Sequence, residues 1–153
     1  MKSVFVPNEV KDIVGRIETL GPSSRPLWGK MTVAQMLAHC NVTYELVYDA
    51  KHPKPNPVAR FLLKLFVKPV VVSEKPYRHH SRTAPVFLVT DEKNFTVEKG
   101  RLIGYLNRTL ELGGRHFENK ESHSFGPLTT TEWNNMFSKH LDHHLRQFGV
   151  PSP

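Results

Sequence analysis

Apolar residues recur along this chain at helical spacing in four separate stretches. Over about residues 8–20, Val10, Ile13, Val14 and Ile17 share one face, and Gly21-Pro22 ends the pattern. A second stretch opens at Thr32, a good N-cap, and runs to about residue 49 with Val33, Met36, Leu37, Cys40, Tyr44 and Val47 inward. The third lies within about residues 93–112, where Phe95, Leu102, Ile103, Leu106 and Leu110 face inward and Gly113-Gly114 forms the stop. Gly100 weakens the first turns of that helix. The fourth is bracketed most sharply, because Thr129 and Glu132 have capping-box spacing and Gly149 followed by Pro151 closes the helix.

Between the second and third stretches lies a connector of about forty residues, far longer than most loops. It holds Pro53, Pro55, Pro57, Pro69, Pro76 and Pro85, and one apolar run over residues 58–67. That run is expected to be a short helix packed on the others, with a membrane-surface or dimer contact as the lesser alternative. β-like patches at residues 70–72 and 86–89 are too few for a sheet. The expected architecture is all-α: a four-helix bundle in one domain, 1–153, whose long crossover allows parallel neighbours.

Composition narrows the class. No apolar run reaches the ~18 residues of a membrane span, and the N-terminus passes straight into an amphipathic pattern without a secretory core. A single cysteine, Cys40, excludes an internal disulfide and fits a reducing, cytoplasmic setting. The formal charge of +7 is concentrated in one place. Residues 51–82 carry Lys51, Lys54, Arg60, Lys64, Lys68, Lys75, Arg78 and Arg82 against Glu74 alone, and the rest of the chain is balanced. Such a segment attracts an anionic small molecule, acidic lipid or nucleic acid, or is simply a solvated loop. Nucleic acid is disfavoured, since the segment has neither aromatics at stacking spacing nor a recognition helix.

The fourth stretch carries the candidate chemistry. At about 100° per residue, Trp133, Met136, Phe137, His140, Leu141, His144 and Phe148 fall in a sector about 140° wide. Two imidazoles one turn apart in an apolar stripe are costly unless their nitrogens find partners. A divalent metal between them answers that need, because the i, i+4 spacing aims both rings at one point. A third ligand is required, and His39, on the flank of the second helix's apolar face, is the best placed. His143, beside Gln147, reaches either the rim of such a pocket or solvent; Gln147, Thr43 one turn beyond His39, and His123 before the fourth helix are the other candidates for that rim. His79 and His80 lack the spacing for a shared site, His52 is read as solvated, and Cys40 as a small buried thiol. Asp142 points away from the apolar face.

The segment Trp28-Gly29-Lys30-Met31-Thr32-Val33-Ala34-Gln35-Met36-Leu37-Ala38-His39-Cys40 resembles the second-helix motif of the DinB/YfiT-like metalloenzyme superfamily. Phe125-Gly126-Pro127-Leu128-Thr129, Glu132-Trp133 and the stretch from His140 to Gly149 are similar to its last helix, in particular to a branch with an HLDHHLRQFG-type ending. The resemblance runs in order along nearly the whole chain. It implies an up-down-down-up four-helix bundle with a divalent ion, zinc or nickel, on three histidines, which here are His39, His140 and His144. It further implies thiol-dependent S-transfer or isomerisation, with a low-molecular-weight thiol such as bacillithiol or mycothiol as a cofactor; a metal-activated water at the same open site would instead make a hydrolase. The function expected is therefore a metal-dependent enzyme acting on a small, anionic substrate, as a monomer or homodimer. The alternative is a non-catalytic stress-response or binding module with a structural or vestigial metal site.

Overall fold

The computed structural model describes residues 1–81 and 83–152; Arg82, the last cation of the basic run, lies outside the described residues. The chain is mostly helical, with one small two-stranded sheet. Helix α1 (Pro7–Glu18) starts with a proline in its first turn, where no N–H partner is needed, and buries Val10, Ile13 and Ile17. Helix α2 (Val33–Tyr48) is opened by a reciprocal cap: the Gln35 N–H donates to Thr32 Oγ1, and the Thr32 N–H donates to Gln35 Oε1. It is buried on nearly every side between Val33 and Glu45 because it packs against two other long helices.

The connector is helical at its start. Helix α3 (Pro57–Leu62) continues through a wider turn over residues 63–67 into α4 (Lys68–Val71). The expectation that this run packs by its apolar residues is corrected: none of them is buried. The helix is instead tied down by its polar groups. Arg60 pairs with Glu121 and Lys68 with Glu132, while Lys139 Nζ donates to the carbonyl of Val70 at 2.6 Å. A tight turn over Pro85–Phe87 later returns the chain to α2.

Helix α5 (Phe95–Phe117) outruns the expected stop. Gly113, at φ 69°, breaks the helical geometry, as the sequence suggests, but one further turn follows. That turn carries Phe117, fully buried beside Trp133 and Phe137 at ring-centroid distances of 5.4 and 5.8 Å. Strands β1 (Lys120–Ser122) and β2 (Gly126–Leu128) form an antiparallel hairpin, Lys120 opposite Leu128, that the sequence reading did not anticipate. Helix α6 (Thr130–Gln147) has the expected Thr129–Glu132 capping box. It ends on Gly149 at φ 77°, with the Val150 N–H donating to the Leu145 carbonyl and the Gly149 N–H to that of Arg146.

The four long helices share one apolar core. Tyr44 of α2 lies between Tyr105 of α5 and Phe137 of α6, with ring centroids at 5.5 and 4.9 Å. Beside this core, α2 and α5 are joined by a polar lattice: Asn41 donates to Glu98, Arg101 bridges Glu98 and Glu45, and Tyr105 donates to Asp49. His52, read as solvated, belongs to this lattice through Nε2 and Glu45 Oε2, 2.8 Å apart. Among the described residues, no helix is long and apolar enough to cross a membrane.

Candidate metal centre

Helices α2 and α6 are adjacent, and their contact brings His39 of α2 against His140 and His144 of α6. One ligand nitrogen from each of the three rings lies within 4.8 Å of the other two, and among the described residues this is the one such cluster. The i, i+4 spacing aims His140 and His144 at the same point, with ring centroids 4.8 Å apart. His39 and His144 are 5% and 7% exposed, and His140 is slightly more open.

What lies behind each ring decides which nitrogen is free. His39 Nδ1 is 2.8 Å from the carbonyl of Phe87, which can only accept, so Nδ1 carries the proton and Nε2 a lone pair. Gln147 Nε2 donates to the carbonyl of Trp28 at 2.7 Å, which turns Oε1 towards His144 Nδ1 at 2.8 Å. His144 Nε2 is thus also a lone pair. His140 Nδ1 lies 3.0 Å from Thr43 Oγ1, a hydroxyl that donates or accepts.

The nitrogens His39 Nε2 and His140 Nε2 are 2.9 Å apart. Two lone pairs cannot face each other at that distance, so a proton or a cation must lie between them. Without a cation, His140 carries its proton on Nε2 and Thr43 donates to Nδ1. With a shared cation, the proton moves to Nδ1 and Thr43 accepts. The three residues can therefore hold a metal ion, and every outer nitrogen has the partner that orients a ligand ring.

Electrostatics favour the metal-binding form. Burial pushes the His39 imidazole below its ordinary value, partly offset by the Phe87 carbonyl. Burial also pushes His140 well down, helped by the neighbouring rings of His144, His39 and His143. His144 is pushed down to about 3, first by burial and then by His39, against the opposing hydrogen bond it donates to Gln147. Neutral imidazole is the form that coordinates a metal.

The other candidates sort by position. Thr43 and Gln147, expected at the rim, stand directly behind the rings. His143 borders the site, with its ring 5.0 Å from His144, 5.7 Å from Tyr77 and 5.9 Å from Trp28. His123 lies in the β-hairpin turn with Nδ1 against Ser124 and Nε2 facing the His52 carbonyl at 3.3 Å. His79 stacks on Trp28 at 3.9 Å. Asp142 pairs with Arg16 and Arg146, away from the rings, and Cys40 is a buried thiol. A cavity of about 710 Å³ has His143, Tyr77, Trp28 and Lys139 in its wall; none of the three clustered histidines lines it, and His143 stands between it and His144.

Sequence reasoning missed the Phe87 carbonyl, which comes from the irregular connector and leaves no residue-type signal. It also missed Lys139, 4% exposed, which donates to the carbonyls of Val70 and Ser73 and is held down to about 8 by burial. One signal for the Gln147 contact was present in Gly29. Its φ is 83°, and a Cβ there would meet Gln147 Nε2 at 2.6 Å. Compared with known proteins, the chain matches no family model, and no curated protein or solved structure is significantly similar to it.

Proposed function

We propose that this chain is a DinB/YfiT-like four-helix-bundle protein that binds one divalent ion, zinc or nickel, on His39, His140 and His144, and uses it as a metal-dependent enzyme. The observation that carries the reading is the convergence of three neutral imidazoles whose outer nitrogens are each held by a separate partner. A divalent ion on three histidines supplies Lewis acidity at an open coordination position, lowering the pKa of a water or thiol bound there. The reaction class that fits is S-transfer with a low-molecular-weight thiol, or hydrolysis, on a small molecule entering by the neighbouring cavity.

The protein's own groups do the positioning. The Phe87 carbonyl and Gln147 Oε1 fix the proton of His39 and His144 on Nδ1, and Thr43 accommodates either tautomer of His140. His143 and Tyr77, in contact with each other, line the neighbouring cavity. The strong burial of His39 and His144 favours a second reading, a structural ion in a non-catalytic binding module.

Metal analysis of protein from cells grown without added nickel tests both. About one zinc or nickel per chain is expected, lost in His144→Ala. Protein that stays metal-free, with the same melting temperature with and without either ion, overturns the metal site itself. A bound ion that raises the melting temperature, with no turnover across thiol-transfer and hydrolase substrates, selects the structural reading.

A further inference from the structure

The helix from Pro57 to Val71 is inside out. Two of its cations reach the protein: Arg60 pairs with Glu121 on β1, and Lys68 with Glu132 on α6. Its large apolar side chains face away, with Val58 71%, Phe61 64% and Phe66 67% exposed and Leu62 and Leu65 also uncovered. This orientation is imposed by the fold. Asn56 caps the first turn by accepting from the Ala59 N–H, and at the other end Lys139 and Asn135 of α6 donate to the carbonyls of Val70 and Val72. A contiguous apolar strip of this kind on a fixed helix marks a surface made to be covered.

Charge indicates what covers it. Lys54 precedes the helix, Lys64 lies within it, and Lys75 and Arg78 follow it; all four are exposed and, among the described residues, have no carboxylate within ion-pair distance. Glu74 is the only acid in the stretch from 51 to 81. In a two-fold contact between copies of this chain, the same positive strip would meet itself, and like charges would oppose the apolar gain. An anionic bilayer offers both requirements at once, hydrocarbon for the apolar face and negative headgroups for the flanking cations. The helix is too short to span a membrane, so it would lie in the interface plane.

We propose that the exposed face of this helix docks the protein on anionic phospholipid membranes, a role separate from the metal centre. Co-sedimentation of the full chain with phosphatidylcholine vesicles, with and without phosphatidylglycerol, tests it. Binding is expected to the anionic vesicles and to weaken as salt is raised. Phe61→Ser with Phe66→Ser should lower binding at least about tenfold with an unchanged far-UV spectrum, since both side chains are exposed. Lys64→Gln should lower it about fivefold. Wild-type protein left in the supernatant with anionic vesicles overturns the proposal, as does equal pelleting of the double-serine variant. A wild-type dimer in ultracentrifugation that the double-serine variant dissolves also overturns it, and makes a second copy the occupant.

Discussion

Thr43 is the partner behind the cluster whose hydrogen can face either way, and that freedom has a measurable consequence. His39 and His144 have their tautomers fixed by acceptors, but His140 must move its proton from Nε2 to Nδ1 when a cation replaces the proton shared with His39. Thr43 follows by changing from donor to acceptor. Thr43→Val keeps the shape and removes the hydroxyl, so metal affinity is expected to fall about 10–100-fold, while Thr43→Ser stays near wild type. Competition with a chromogenic chelator at neutral pH measures this, and equal affinities for valine and threonine would remove the hydroxyl from the account. At this scale the sequence was informative for residue type and blind to backbone. The histidines were legible because polar rings in an apolar stripe need partners. The Phe87 carbonyl was not, because any residue in the connector could have offered one.

Elements show what positions the histidine cluster. The loop before α2 is clamped to the last turn of α6 by two hydrogen bonds, from the Leu27 N–H to the Gln147 carbonyl and from Gln147 Nε2 to the Trp28 carbonyl, both at 2.7 Å. Gly29 permits that approach through its positive φ and its missing Cβ. Gly29→Ala should therefore push the Gln147 amide away from both Trp28 and His144. The expected cost is about 1–3 kcal/mol of stability together with weaker metal binding. Gly149→Ala is the matched control, because φ is 77° there but no atom lies within 4 Å of the new Cβ. It should cost about 1 kcal/mol and leave the metal in place. Thermal melts and metal titration of both variants separate strain from loss of the clamp, and identical metal binding in the two would refute the clamp. The helix termini were readable in advance, since Thr32, Thr129 and Gly149 act through local chemistry. The extra turn after Gly113 was not. Phe117 is drawn in by Trp133 and Phe137, a tertiary demand that overrides a local stop signal.

Across the whole molecule, helical periodicity identified the elements that build the core, but periodicity cannot say which way an apolar face points. Residues 58–67 were expected to pack inward; their large apolar side chains face outward instead, while Arg60 and Lys68 pair with Glu121 and Glu132. The same burial that shelters the three-histidine cluster also sets how the fold answers to acid. His39, His140, His143 and His144 all have folded-state pKa values below the ordinary 6.5, chiefly through burial, with His144 near 3. Below about pH 6.5 the unfolded chain therefore binds protons that the folded chain refuses. Stability should be complete above that pH and fall as the pH is lowered towards 5, by up to about 1.4 kcal/mol per pH unit for each fully buried ring. Burial alone would raise Glu45 and Asp142, but hydrogen bonds and ion pairs with Arg101, His52 and Lys51, and with Ser152, Arg16 and Arg146, hold them low, as Tyr105 and Lys51 hold Asp49. These carboxylates lose stability in the same direction but nearer pH 4, where their unfolded counterparts titrate. The interval from pH 7 to 5 thus isolates the histidines. In chelator-treated protein, His144→Leu should flatten the dependence of melting temperature on pH across that interval, because one refused proton is removed. A wild-type melting temperature that stays constant from pH 7 to 5 would mean that the rings accept protons in the folded state, and that the centre is far less sheltered from water than its burial implies.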